Sequence, residues 1–127
     1  MLYFKELYIT GSLVCVVSIQ SNSESFGNSI DISGDGNTIG FTCSTNDGST
    51  GLGWVKIFKL ISNTWTQIGQ TITGALEREY FGTGFSLSDD GTIFTVSASQ
   101  FYIINEKGYT NIYKFNKKKW YWLVFVK

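Results

Sequence analysis

Apolar and polar residues alternate in short runs separated by glycine, asparagine and aspartate, the pattern of antiparallel strands joined by tight turns. Ser29 to Ser33 alternates, and Gly34-Asp35-Gly36-Asn37 then supplies a hairpin turn. Thr38 to Ser44 alternates again with Ile39, Phe41 and Cys43 on one face, and Thr45 to Leu52 follows as a polar, glycine-containing loop. Trp54 to Leu60 is apolar on both faces apart from its lysines, Ser62-Asn63 turns the chain, and Thr64 to Ile72 carries Trp65 and Ile68. Four short strands are predicted, the inner ones apolar on both faces as in a sheet covered by a neighbour on each side. The best helical candidate is Gly74 to Tyr80, a short piece of a connection, so almost no helix is expected.

The same pattern is written twice. With an offset of 55 and no gap, Phe26-Gly27 aligns with Phe81-Gly82, Ser33 with Ser88, Asp35-Gly36 with Asp90-Gly91 and Ser44 with Ser99. Gly53 aligns with Gly108, Ile57 with Ile112, Lys59 with Lys114 and Trp65 with Trp120. Conservative pairs such as Ile30/Phe85, Ile32/Leu87, Ile39/Phe94, Phe41/Val96, Trp54/Tyr109 and Phe58/Tyr113 fall between these identities. A fixed period of this kind marks a repeat architecture. The expected fold is therefore all-β, made of tandem four-stranded antiparallel blades: a partial β-propeller of about two to two and a half blades. Residues 26–80 and 81–127 are the two copies, and residues 1–25 precede them.

That leading segment supports two readings. Leu7 to Ile19 has the length of a signal-peptide core and is followed by Ser21, Asn22 and Ser23, yet Glu6 sits in the leading region and Gly11-Ser12 interrupts the apolar run. The other reading is a pair of strands, Leu2 to Leu7 and Leu13 to Ile19, belonging to a partial blade. The stretch is too short and broken to span a bilayer as a helix, and no membrane insertion is expected.

Composition narrows the chemistry. Ten Lys and Arg balance ten Asp and Glu, so no net charge draws the chain onto nucleic acid. Histidine is absent, which removes the commonest general base near neutral pH and the commonest zinc ligand. Cys15 and Cys43 both lie in apolar strand patterns and read as buried free thiols. Fourteen glycines and no proline leave the turns to Gly, Asn, Asp and Ser.

The succession Phe-Gly, alternating strand, Asp-Gly, second strand, then Gly-Trp-Val-Lys-Ile-Phe and Thr-Trp-Thr-Gln-Ile-Gly resembles the FG-GAP-like repeats of integrin-α-type β-propellers. The likeness runs from Phe26 onward and is tightest over Phe26 to Ile39. The Gly-Ala-Pro end of the family's second strand is worn down here to Thr42-Cys43-Ser44 and Ser97-Ala98-Ser99. The resemblance implies a non-catalytic interaction module, at a cell surface or outside the cell, that recognises a protein or a glycan. Calcium-binding members carry several converging carboxylates in the Asp-Gly turn. This chain offers only Asp35 in one copy and the adjacent Asp89 and Asp90 in the other, so a hairpin turn is the simpler reading and no cofactor is expected.

Remaining candidates are weighed the same way. Trp65 and Trp120 occupy equivalent places and read first as packing residues; with Trp54 and Tyr109 they are also the candidates for a lectin-like aromatic platform. Gln100 to Lys107, with Phe101 and Tyr102, and the loop Thr45 to Leu52 are the expected contact surfaces, because loops carry specificity. Lys117-Lys118-Lys119 among aromatics resembles a single-strand nucleic-acid groove but sits at a turn. Glu77 and Glu79, the nearest approach to a catalytic carboxylate pair, read as a solvated loop. Two blades cannot close a ring, so either self-association or further blades of a longer chain are expected.

Overall fold

The computed structural model describes residues 3–9, 12–19, 24–45, 52–99 and 107–126. The protein is all-β, with no helix among these residues. Strands β1 (Tyr3–Ile9) and β2 (Ser12–Ile19) form a two-stranded antiparallel hairpin. Strands β3 (Glu24–Ile32), β4 (Thr38–Thr45), β5 (Trp54–Ile61) and β6 (Thr64–Gln67) make the first sheet in that order, with the short β7 (Ile72–Thr73) also paired to β5. Strands β8 (Phe81–Leu87), β9 (Ile93–Ala98), β10 (Tyr109–Asn116) and β11 (Lys119–Val126) make the second sheet, also in chain order.

The two sheets repeat each other in register as well as in sequence. Ile39 pairs with Phe58 as Phe94 pairs with Tyr113, and Phe26 pairs with Cys43 as Phe81 pairs with Ala98. A bulge interrupts the first strand of each sheet, between Phe26 and Ile30 and between Phe81 and Gly84. Gly36 and Gly91 both take positive φ, 74° and 72°, where a side chain would be strained, which is why the Asp-Gly pair ends each first hairpin.

Alternation divides each sheet into a front and a back. The front of the first sheet carries Ile39, Phe41 and Cys43; its back carries Thr38, Gly40 and Thr42 together with Val55 and Ile57, all buried. The front of the second sheet carries Phe85, Phe94, Val96 and Ala98, and it packs on the back of the first. Phe94 is the hub of that core: its ring stacks on Tyr113 at 5.0 Å, meets Phe85 at 5.5 Å and takes an edge-on contact with Trp120 at 4.8 Å.

Two expectations are corrected, and that of almost no helix holds. The fourth strand of the first sheet is not continuous from Thr64 to Ile72: Gly69 takes φ 69°, and the backbone leaves the sheet after Gln67 and rejoins it at Ile72. Gly74 to Tyr80 holds no helical turn; Arg78 and Tyr80 adopt positive φ, which breaks any helix. Glu79 is not solvated but 1% exposed.

Candidate functional site

The Asp-Gly turns are closed locally. Asp35 Oδ1 accepts from Ser33 Oγ at 2.7 Å and from the Asn37 backbone N–H at 2.9 Å, while Asn37 Nδ2 donates to Oδ2. Fifty-five residues on, Asp90 Oδ1 accepts from Ser88 Oγ at 2.7 Å, from Thr92 Oγ1 at 2.7 Å and from the Thr92 N–H at 3.0 Å. The hydroxyl of Thr92, then that of Ser88, hold the Asp90 carboxyl down at about 2, and the Ser33 hydroxyl lowers that of Asp35. Asp89 faces the other way, over Gly34, whose N–H donates to the Asp89 carbonyl at 2.8 Å. Each carboxylate of the turn pair is thus spent on its own loop. No group of three or more His, Cys, Asp or Glu side chains able to hold a metal ion is found among the described residues.

The connection between the sheets contains a buried carboxylate. Glu79 Oε1 accepts from the Ala75 N–H at 2.7 Å and Oε2 from the Tyr109 hydroxyl at 3.0 Å. Burial, then the bond donated to Glu79, pushes the Tyr109 phenol above the usual tyrosine range. A Cβ on Gly74 would meet Glu79 Oε1, so glycine there makes room for the carboxylate. Glu79 is therefore a staple tying the connection to the start of β10, and Glu77 stays exposed beside it. The sequence held a signal for this: Glu24 and Glu79 both stand two residues before the Phe-Gly pair.

The four aromatic candidates do not converge on one surface. Trp120 is buried, and Tyr109 directs its hydroxyl at Glu79. Trp54 lies half-buried on the front of the first sheet under the Lys56 ammonium, 4.6 Å from its ring centre. Trp65 is half-buried on β6. Phe101 and Tyr102, most of the Thr45 to Leu52 loop and the Cys15 side chain lie outside the described residues, whereas the Cys43 side chain is buried on β4. Lys117, Lys118 and Lys119 are exposed at the turn between β10 and β11.

Exposed aromatic and apolar surface gathers instead on β11, where Tyr121, Trp122 and Leu123 are all exposed. Tyr121 and Leu123 line a shallow depression of about 290 Å³ with Lys114, Phe115 and Asn116. It offers a ring face, a cation and an amide side by side. These residues were hidden in the sequence because Trp120 to Val126 reads as one apolar run, with nothing to tell an inward from an outward side chain. No helix among the described residues is long and apolar enough to cross a membrane. Neither a protein-family model nor a curated protein matches this chain.

Proposed function

We propose that the chain is a non-catalytic interaction module of the FG-GAP-like β-propeller type, which recognises a protein or a glycan at a cell surface or outside the cell. The observation that carries this reading is the front-to-back stacking of two sheets related by a 55-residue shift, with matching turns, bulges and register. Blades of a propeller stack in this sense, each front on its neighbour's back. The N-terminal hairpin supports the same view. Its strands β1 and β2 pair antiparallel and precede β3 in the chain as β5 and β6 precede β8, an order that suits the outer half of a preceding blade.

The recognition surface is the β10–β11 hairpin. Tyr121, Leu123, Lys114 and Asn116 gather there on one depression, whereas the Glu79 carboxylate is bound up inside the fold. A lectin-like role is the second reading, favoured by the exposed Tyr121 ring beside the Asn116 amide, a pairing suited to stacking on a sugar and bonding its hydroxyls.

Screening the immobilised chain against a glycan array and a library of extracellular proteins tests the reading. Saturable binding weakened by Tyr121→Ala is the expected result. Absence of any saturable ligand, or binding indifferent to that substitution, would overturn it.

A further inference from the structure

The two-sheet stack uses one interface internally and leaves the matching halves of that interface at its ends. Inside, β8 lies against β3 and β4: Phe85 fills the space over Gly40, where a Cβ would come within 2.1 Å of its ring, and Leu87 is buried beside it. Their equivalents in the first sheet, Ile30 and Ile32, are 46% and 38% exposed. The receiving side shows the complementary difference. Thr38, Gly40, Thr42, Val55 and Ile57 are buried by the second sheet, whereas their equivalents Ile93, Thr95, Ser97, Thr110 and Ile112 are only half-buried. Along β5 the back-facing positions 55 and 57 are closed off; along β10 the same positions, 110 and 112, stay open.

We propose that a second copy of this chain docks its β3 on the back of the second sheet, repeating between molecules the contact that β8 makes within one. The occupant follows from continuity with the internal interface. The side chains are matched by volume: internally a large ring meets a glycine, Phe85 on Gly40, and at the ends a smaller Ile30 would meet a larger Thr95, so the summed volume is shared differently across an equivalent contact. A depression of about 220 Å³ on that back face, lined by Ser86, Ile93 and Thr95 among others, is open to receive an aliphatic side chain. Ile39, Phe41 and Cys43 on the front of β4 are already covered within the chain, so the new contact is confined to β3. It is small, and micromolar or weaker association is expected of it. Because the two patches differ, the contact is head to tail, and each copy offers one of each kind. The inference rests on the stacked-blade part of the proposed function and not on its ligand.

Light scattering on the full chain from micromolar to millimolar concentration tests it, with two blocking variants. Ile30→Asp closes the front patch and Thr95→Glu the back patch. The wild-type chain is expected to gain mass with concentration, each variant to remain at the monomer mass, and their equimolar mixture to reach twice that mass, since each supplies the half the other lacks. Circular dichroism checks that both variants fold, and Ile112→Lys replaces Thr95→Glu if it does not. A wild-type chain that stays monomeric throughout, or a mixture no heavier than its parts, overturns the proposal. Association that survives both variants and is lost in Trp122→Ser also overturns it, because it then runs through the β11 edge. None of these outcomes depends on ligand binding, so failure here and failure of the recognition screen are read separately.

Discussion

The indole N–H of Trp120 donates to the carbonyl of Ile68, 3.0 Å away in the link between β6 and β7. Gln70 completes the link, since its amide oxygen accepts from the Trp120 backbone N–H at 2.9 Å and its amide nitrogen donates to the Trp120 carbonyl at 2.7 Å. A side chain thus pairs with an edge strand as a neighbouring strand would, which satisfies backbone groups that β11 otherwise leaves open. The break between β6 and β7 is what frees Ile68 to Gln70 for this contact. Trp120→Ala is expected to cost about 3–5 kcal/mol, as for other buried aromatic truncations. Trp65→Ala, at the equivalent but half-buried place, should cost clearly less. Denaturant melts of the two variants check the ordering, and equal losses would contradict it.

Gly40 and Phe85 form a close approach between the sheets. A Cβ at residue 40 would lie 2.1 Å from Phe85 Cζ and 2.9 Å from Ile57 Cδ1, with the ring held by Phe94 behind it. Gly40→Ala is expected to destabilise by about 1–3 kcal/mol through overpacking. Adding Phe85→Leu should recover part of that loss, because the smaller side chain yields the space. Gly84→Ala, whose nearest neighbours are Ser97 Oγ at 3.2 Å and Cβ at 3.3 Å, is the milder control.

Much of this architecture is legible in the sequence. Alternation around Ile39, Phe41 and Cys43 gave a strand with one buried face, Asp35-Gly36 gave its turn, and the 55-residue offset gave the second sheet. What the sequence could not supply was the fate of equivalent positions in unequal surroundings. Trp65 and Trp120 look alike in the alignment, yet Trp120 is buried and bonded to Ile68 and Gln70, whereas Trp65 is half-buried. Glu79 looked solvated because charged neighbours Glu77 and Arg78 flank it; its burial depends on Tyr109, thirty residues away in the chain. The repeat marks Glu79 through its match with Glu24 but does not name its partner, and nothing periodic separates Trp120 from Trp65.

The two Asp turns lose stability in acid in a predictable direction. Asp90 has its carboxyl held at about 2, below the ordinary 3.8, by hydroxyls of Thr92 and Ser88 and by the Thr92 N–H. A depressed carboxyl contributes stability that is fully present above 3.8 and is lost as the pH falls towards about 2. Asp90→Asn is therefore expected to lower the melting temperature at neutral pH and to converge on the wild type in acid. Asp35→Asn should behave in the same sense. Melting curves across pH 2 to 7 measure this, and a gap that widens in acid would refute the assignment.

Tyr109 sets a limit at the other end of the pH scale. Its phenol is half-buried and donates to Glu79, and burial first, then that bond, raise it above the ordinary tyrosine value of 10.0. The folded state therefore holds this proton more tightly than the unfolded chain. The linked stability is complete below pH 10 and drains away as the pH rises beyond it. Tyr109→Phe removes the donor and leaves Glu79 Oε2 buried without it, a loss expected to be about 1–3 kcal/mol at neutral pH. The variant has no phenol to ionise, so its deficit relative to the wild type should shrink above pH 10. Glu79→Gln keeps the shape of the staple while removing its charge, and in that variant Tyr109 should titrate closer to its ordinary value. Ultraviolet titration of the phenol together with urea melts at neutral and alkaline pH separates the two effects. A Tyr109→Phe deficit that stays constant through the alkaline range would show that Glu79 does not depend on this hydroxyl.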